Sequence, residues 1–413
     1  MIWRELPPTA GLPIRWSDFL PRRGVPSLEE GLARFLDVPS VQIECSGTAA
    51  LIVALECLKR RSSRRSVVVP AYTCPLVPLA IAHAGLEIRL CDTAPDRFDL
   101  DPDALRTACD RDTLCILPTH IGGAVTDLEV VLDVARRTGA TIVEDAAQAF
   151  GARWHDRPVG TVGDIGFYSL ARGKGLTLYE GGALVAADES MRAELSAASR
   201  RVVSGRRSAE ACRLFQLAGY WLMYNPLGLR VVYGTPLRRA LRRGDRVAAI
   251  GDEASEPIPL HRVSTLRKRI GAAALLRLGP WLRDSAARGR DRARRIGAID
   301  GLEVITDARG GRGTWPFLMV LFRSAAACEQ ALGALWQSGL GVTRLFAHDL
   351  TGYRFLERIV PRTRVPNARS FAARCLTVSN SPWLTEEDFA RVVEALAAAA
   401  ASVRAESPAV RSR

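Results

Sequence analysis

Short runs of Val, Ile and Leu alternate with helical segments through the first half of the chain. The runs "SVVVPAY", "LCILPTH", "TIVEDAAQAFG" and "DIGFYSL" are continuously apolar near their starts, as in strands that are buried on both faces. Segments with helical apolar spacing, such as "DLEVVLDVARRTG", separate several of these runs. This alternation predicts an α/β fold in which helices cover both faces of a mainly parallel sheet.

The pattern also predicts how the 413 residues are divided, because a chain of this length can build one large and one smaller domain. We expect five parts: a Pro-rich extended arm at 1–27, a large α/β domain at 28–204, an apolar and basic insert at 205–262, a helical connection with a small C-terminal α/β domain at 263–397, and a frayed tail at 398–413.

The net charge of +13 is concentrated in one region. Residues 200–246 contain eleven arginines but only two acids, Glu210 and Asp245. Such a charge indicates an anionic partner: nucleic acid, a membrane surface or a phosphorylated substrate. No recognised nucleic-acid motif accompanies it, so nucleic acid ranks last.

The cysteines and the N-terminus indicate the compartment. Nine cysteines lie scattered without a CxxC pair, and five histidines lack metal-ligand spacing, so we expect a reduced cytoplasmic protein without a metal. The first residues lack a basic region followed by an apolar run, which argues against a signal peptide. No apolar run is long enough for an ordinary transmembrane helix.

Three features together suggest a cofactor site. Gly47 and Thr48 open a helix that could cradle a phosphate, although a plain helix cap would look the same. Asp145 ends an apolar strand, where its carboxylate could pair with a cationic ring nitrogen or cap a helix. Lys174 is a single lysine between glycines in an Arg-rich chain, and it is either a solvated turn residue or an amine nucleophile. Phosphate, ring nitrogen and aldehyde are the groups that pyridoxal phosphate presents.

At these stretches the sequence resembles the DegT/StrS-like sugar aminotransferases, which are fold-type I pyridoxal-phosphate enzymes. The matching stretches lie between about residues 30 and 396: "SGTAAL", "VVVPAYT", "LPTHIGG", "VEDAAQAFGA", "VGDIGFYSL", the Lys174 stretch with "EGGALV", "GVTRLF" and "SPWLTEED". The resemblance implies a large cofactor-binding domain with a seven-stranded type of sheet, a smaller C-terminal domain, and a homodimer.

The resemblance also implies residue roles. Lys174 would hold the cofactor as a Schiff base and shuttle a proton, Asp145 would pair with the ring nitrogen, and Gln148 would contact the ring hydroxyl. The phosphate would be held by Gly47, Thr48 and Ser169.

Two positions depart from the family pattern. Cys74 stands where an aromatic residue usually stacks on the cofactor ring, and Tyr72 lies two residues earlier, so either could face the ring. In the run "LHRV", Leu260 stands where the neighbouring subunit usually lends an Asn to the phosphate, and His261 or Arg262 could replace it.

The implied activity is transfer of an amino group, commonly from glutamate, to a keto-sugar that is nucleotide- or lipid-linked. Such reactions serve polysaccharide or secondary-metabolite biosynthesis. His120 and Arg262 are candidate substrate contacts, although His120 fits a satisfied core histidine equally well. The alternative is a non-catalytic pyridoxal-phosphate-binding regulator or scaffold, which the altered positions 74 and 260 motivate and the retained Lys174 opposes.

The insert allows three hypotheses. Its aromatic residues Tyr220, Trp221 and Tyr224 could form a wall over the acceptor site or a dimer contact, since apolar runs are usually buried. Residues 212–243 could instead contact a membrane surface, with the basic stretch 238–243 facing anionic lipid.

Overall fold

The computed structural model describes residues 4–205, 207–253 and 258–406. Its strands are β1 Gln42–Glu44, β2 Ser66–Pro70, β3 Glu87–Cys91, β4 Thr113–Ile116, β5 Thr141–Asp145, β6 Arg153–Trp154, β7 Arg157–Pro158, β8 Ile165–Ser169, β9 Gly182–Ala186, β10 Leu302–Val304, β11 Gly311–Arg312, β12 Phe317–Phe322, β13 Val342–Thr343 and β14 Cys375–Ser379. Its α-helices are α1 Trp16–Phe19, α2 Leu28–Leu36, α3 Gly47–Arg61, α4 Leu76–His83, α5 Pro102–Ala108, α6 Glu129–Thr138, α7 Glu189–Val202, α8 Arg207–Met223, α9 Pro226–Leu229, α10 Thr235–Arg242, α11 Arg246–Ile250, α12 Thr265–Leu275, α13 Leu278–Gly297, α14 Ala325–Leu335, α15 Pro366–Arg374 and α16 Glu386–Glu406.

Seven strands form the sheet of the large domain in the order β1-β9-β8-β5-β4-β2-β3. The neighbours from β8 to β3 pair in parallel, and β9 pairs antiparallel with both β8 and β1. The predicted α/β class with a mainly parallel sheet is therefore confirmed. The carboxyl ends of the parallel strands meet at one edge, which is where such sheets bind ligands.

Both faces of this sheet are covered, as the continuous apolar runs predict. Along β2, Val67 and Val69 join the core beneath α3, whereas Val68 joins a second core with residues of α5 and α6. Because successive strand side chains point to opposite faces, a strand between two helical layers must be apolar at every position.

The smaller domain has its own sheet, in the order β10-β12-β14-β13 and antiparallel throughout. The apolar run "WPFLMVLF" forms β12 as expected, whereas the predicted strand "GVTRLFA" is reduced to the two residues of β13. The helix α16 continues to Glu406, so residues 398–406 are helical rather than frayed; the rest of the predicted tail lies outside the described residues.

The N-terminal arm is extended for much of its length, but it is firmly packed. Leu6, Leu12 and Ile14 are buried. The Leu6 N–H donates to the Gly339 carbonyl of the smaller domain, and the Leu12 N–H donates to the Gly175 carbonyl of the large one. The arm therefore ties the two domains together beside the Lys174 loop.

The insert folds as helices α8 to α11, with a π-helical turn at Arg230–Gly234 between α9 and α10. Leu217 belongs to a core of the large domain, and Leu237 and Ala249 belong to the core of the small one. The insert therefore packs against both domains. Across 4–205, 207–253 and 258–406, no helix is long and apolar enough to cross a membrane. All nine cysteines are described, and none is in a disulfide.

Candidate active site

The pairing register brings the helix α3 to the end of β8. Gly182 lies opposite both Glu44 of β1 and Ser169 of β8, so the turn that follows β1 crosses directly over this row. A Cβ atom on Gly182 would lie 2.2 Å from the Ser46 carbonyl oxygen. Only glycine lets the two backbones approach this closely.

The predicted phosphate residues come together at this crossing. The Ser46 hydroxyl caps α3 by accepting the Ala49 N–H at 3.0 Å. The N–H groups of Gly47 and Thr48 lie in the first turn, where the helix itself offers no acceptor. A Cβ on Gly47 would lie 3.2 Å from the Ser169 Cβ, so the serine borders the helix N-terminus. Backbone donors, the helix dipole and a hydroxyl form a suitable phosphate cradle.

Asp145 lies at the carboxyl end of β5 and is 3% exposed. Its Oδ1 accepts the Ala147 N–H at 2.9 Å. Burial nevertheless raises the pKa of this carboxyl group to about 6, against the opposing effects of the Ala147 hydrogen bond and of the Lys174 charge. A buried carboxylate with this pKa is short of positive charge, and a protonated ring nitrogen would supply it.

Lys174 lies in the loop between β8 and β9. Backbone hydrogen bonds within the loop hold its two ends together. The Leu170 N–H donates to Gly181, and the Leu178 N–H donates to Leu170. Gly173 has a φ of +73°, a conformation that favours glycine. Burial lowers the pKa of the Lys174 amine, and the negative charge of Asp145 only partly opposes this effect. A larger fraction of the amine is therefore uncharged and nucleophilic at neutral pH.

Gln148 follows Asp145 on the same side of the sheet. Its Oε1 accepts the Gly122 N–H at 3.0 Å, which fixes the orientation of the amide. The NH₂ group then remains to donate, as a contact to a ring hydroxyl requires.

The structure separates the two candidates for the ring-stacking position. Tyr72 is 1% exposed and packs edge-on against Phe346 and Phe371, with ring centroids 5.3 and 5.0 Å away. Cys74 is close enough to Lys174 for the two groups to affect each other's pKa, and burial raises the pKa of its thiol to about 12. Cys74, not Tyr72, therefore adjoins the amine.

His120 is fully buried beneath the site. Its Nδ1 accepts the Thr126 N–H at 3.1 Å, so its Nε2 carries the proton that faces Glu144 at 3.2 Å. Both ring nitrogens are thus engaged within the protein. This arrangement favours the structural alternative for His120 over a substrate contact through nitrogen.

Leu260, His261 and Arg262 of the "LHRV" run have different surroundings. Leu260 packs against the large-domain core, and the His261 Nδ1 is buried 3.5 Å from Glu210. Arg262 is exposed, and its backbone N–H donates to the Ser204 carbonyl. Of the three, Arg262 alone is free to meet a partner subunit or a substrate.

One supporting pair was not anticipated from the sequence. Arg267 is fully buried and makes a bidentate ion pair with Glu210, with both N–O distances at 2.7 Å. Its guanidinium also donates to the carbonyls of Leu178 and Glu180, and so holds the far end of the Lys174 loop. The available signal was Glu210 itself, one of two acids in a strongly basic stretch.

The donor set suits pyridoxal phosphate. An anion cradle, a buried carboxylate, an oriented amide donor and an amine with a lowered pKa lie at one edge of one sheet. These groups match the phosphate, the ring nitrogen, the ring hydroxyl and the aldehyde.

Comparison with known sequences finds similar stretches in aminotransferases. Residues 21–213 match the model of the DegT/DnrJ/EryC1/StrS aminotransferase family. Over 179 residues the chain is 37% identical to an L-glutamine:2-deoxy-scyllo-inosose aminotransferase of Streptomyces kanamyceticus, covering 42% of each chain. Over 160 residues it is 39% identical to an L-glutamine:scyllo-inosose aminotransferase of Streptomyces griseus, covering 38% of each. These alignments span less than half the length of the curated relatives.

Comparison with solved structures extends over nearly the whole chain. The sugar aminotransferase CalS13 from Micromonospora echinospora has a TM-score of 0.72 and 21% identity, covering 95% of this chain and 100% of that one. The PLP form of Spr1654 from Streptococcus pneumoniae has a TM-score of 0.72 and 17% identity, covering 97% and 99%. At such identities the likeness establishes the fold.

Proposed function

We propose that this chain is a pyridoxal-phosphate-dependent aminotransferase, because residues 21–213 match the model of the DegT/DnrJ/EryC1/StrS aminotransferase family. It moves an amino group from an amino acid to the ketone of a sugar or a related ring. The placement of the Lys174 amine, whose pKa burial lowers, near the buried Asp145 carboxylate carries this proposal.

Each group in the site has a defined task. Bound pyridoxal phosphate supplies an aldehyde that takes up the amino group and a ring that accepts electrons from the substrate carbon. Lys174 anchors the cofactor and, with its lowered pKa, accepts and returns the proton of the substrate carbon. Asp145 keeps the ring nitrogen protonated. Gly47, Thr48 and Ser169 hold the phosphate.

The two substrates are proposed from the relatives and from charge. The curated relatives are named for L-glutamine and inososes, so we propose glutamine or glutamate as the donor and a keto-sugar or cyclic ketone as the acceptor. A nucleotide or lipid linkage on the acceptor would suit the positive charge of the chain.

The decisive experiment is the absorption spectrum with pyridoxal phosphate, for wild type and Lys174→Ala, before and after adding glutamate or glutamine. We expect a visible band in wild type that the donor bleaches, and a different band in the variant. A wild-type band that no amino donor shifts would favour the non-catalytic regulator. An identical band in both proteins would refute the role of Lys174.

We also propose that the enzyme is a cytoplasmic homodimer whose insert touches the membrane surface. Between residues 211 and 223 of α8, the exposed residues are Ala211, Cys212, Phe215, Ala218 and Leu222, and none of these five is charged. Leu227 and Val231 continue this apolar surface at 67% and 62% exposure, and exposed arginines of α10 follow. Apolar side chains beside arginines suit a surface of anionic lipid.

Vesicle co-sedimentation tests this contact. Binding to phosphatidylglycerol vesicles should fall in the double variant Phe215→Asp, Leu222→Asp, and should persist in Leu276→Asp, which changes an exposed leucine outside the insert. If the double variant instead becomes monomeric in sedimentation velocity with unchanged vesicle binding, the surface is a dimer contact.

A further inference from the structure

A cavity of about 560 Å³ lies between the insert helices α8, α10 and α11 and the N-terminal arm. Its volume is in the range of ligand pockets in proteins, about 300–1,000 Å³. Most of its lining comes from residues 216–251, beyond the segment that matches the family model.

The cavity adjoins the catalytic site at two points. Arg172 and Gly173, which directly precede Lys174, form part of its wall. Gly251 also lines the cavity, and the next residue, Asp252, is close enough to Cys74 to affect the pKa of that thiol. A substrate whose ketone reaches the Lys174 amine can therefore extend a second group into the cavity.

Aromatic and aliphatic side chains dominate the lining. The tyrosines in the wall are Tyr179, Tyr220, Tyr224 and Tyr233. The rings of Tyr220 and Tyr224 stack with centroids 4.6 Å apart. Aliphatic side chains, including Met223, Leu229 and Leu237, complete the wall. Binding of a hydrocarbon group against such a lining is favourable, because it removes apolar surface from water.

The basic residues that neighbour the wall are already neutralised. The Arg213 Nε lies 2.5 Å from Glu180, and Arg213 also donates to the Gln216 side chain. Arg238 lies 2.7 Å from the buried Glu5 carboxylate, and Arg230 lies 3.7 Å from the same oxygen. These arginines hold the insert in place and are not available to bind a diphosphate.

Arg172 is the exception. Its guanidinium carbon lies 5.0 Å from the centre of the Tyr179 ring, and the side chain is exposed. Among the described residues it has no carboxylate partner. The wall therefore offers one unpaired cation at the side nearest Lys174.

We propose that this cavity binds an apolar group carrying a single negative charge, which forms the non-reacting part of the keto substrate. The proposal rests on the aminotransferase function proposed above. The hydrocarbon, an aromatic ring system or an alkyl chain, lies among the tyrosines, and its anionic group pairs with Arg172. Of the two linkages named under the proposed function, a nucleoside diphosphate does not fit this cavity, because one cation cannot match its charge.

Binding of 1-anilinonaphthalene-8-sulfonate to the cofactor-loaded enzyme tests the proposal, since this probe is an apolar monoanion. Gly219 lines the cavity, and a Cβ placed there meets nothing within 4 Å, so Gly219→Phe fills the space without a clash at its Cβ. Gly333→Phe is the matched control, on an exposed position of α14 with equal room. We expect one saturable site that Gly219→Phe weakens at least about tenfold and Gly333→Phe leaves unchanged. Equal affinity in all three proteins overturns the proposal.

Competitors identify the chemistry. Decyl sulfate and naphthalene sulfonate should both displace the probe, and the stronger one tells whether a chain or a ring system is preferred. Arg172→Gln should weaken both by about tenfold and leave neutral N-phenyl-1-naphthylamine unaffected. Displacement by uridine diphosphate at lower concentration than either monoanion contradicts the proposal.

The donor half-reaction separates this proposal from the function on which it rests. Bleaching of the visible band by glutamine or glutamate needs only the catalytic site and should survive Gly219→Phe. If wild type fails to bleach, the aminotransferase function fails. If the wild-type band bleaches but Gly219→Phe leaves the affinity for the probe unchanged, only the cavity proposal fails.

Discussion

Replacing Asp145 with asparagine should stabilise the cofactor-free protein. The raised pKa of about 6, against an ordinary value of 3.8, means that ionising this carboxyl group opposes folding. At about 1.4 kcal/mol per pKa unit, the cost reaches about 3 kcal/mol. Asparagine removes the charge and keeps an oxygen that can accept the Ala147 N–H at 2.9 Å.

The sign of the pH dependence follows from the direction of the pKa shift. Below about pH 4 the carboxyl group is protonated in both folded and unfolded chains, so Asp145→Asn should change little. As the pH rises to 6, the unfolded chain ionises freely and the folded one resists, so the wild type loses stability. The advantage of the variant should therefore grow between pH 4 and 6 and level off above 7.

Thermal unfolding of cofactor-free wild type and Asp145→Asn at pH 4.5, 6 and 8 measures this difference. Asp164→Asn is a fitting control, because that carboxylate is exposed and accepts the Ile142 N–H. Saturating pyridoxal phosphate should abolish the advantage, since the ring nitrogen then pairs with Asp145. A variant that is less stable at pH 8, or equally more stable at every pH, would refute the reasoning.

Three further substitutions give separate expectations. Gly182→Ala should weaken pyridoxal phosphate binding and lower stability by about 1–3 kcal/mol, because its Cβ would lie 2.2 Å from the Ser46 carbonyl oxygen. Cofactor titration and thermal unfolding measure the two effects, and an unchanged affinity for the cofactor would contradict the proposed cradle. His120→Ala should lower stability by about 1–3 kcal/mol but leave the KM for the amino donor unchanged; a raised KM in a folded variant would restore a substrate role. Arg267→Met should lower stability by about 3–5 kcal/mol, because it leaves the Glu210 carboxylate without its bidentate partner; wild-type stability in denaturant would show that the pair contributes little.

The fold of the large domain could be predicted because short stretches of sequence specify its strands. A continuously apolar run such as "SVVVP" specifies a strand buried on both faces, and Asp145 is placed at the sheet edge simply by ending one. The approach of Gly47 to Ser169 was harder to anticipate. It depends on the antiparallel strand β9, which lies between β1 and β8 in the sheet although it follows both in the chain.

Other features depend on long-range packing that no local pattern encodes. Tyr72 and Cys74 are two residues apart, and only the positions of Phe346 and Phe371 decide which of them adjoins Lys174. The strand β13 is shorter than its apolar run suggests, and β10 and β14 lack a strong periodic signal. The sequence alone does not distinguish Arg267 from a surface arginine, because its partner Glu210 is distant in the chain and the two residues meet only in the fold.

The N-terminal arm has a consequence for biosynthesis. The amide of Leu6 leaves the ribosome well before its acceptor, the Gly339 carbonyl, which is synthesised more than three hundred residues later. Domains generally fold as units during translation, so the large domain can form before the Leu6 amide of the arm has bound the Gly339 carbonyl. Because Leu12 of the same arm pairs with Gly175, we expect the Lys174 loop to reach its final conformation only after Gly339 has been synthesised and has bound the arm. A bulky fusion placed before the arm should therefore slow the gain of cofactor binding more than a fusion at the other end.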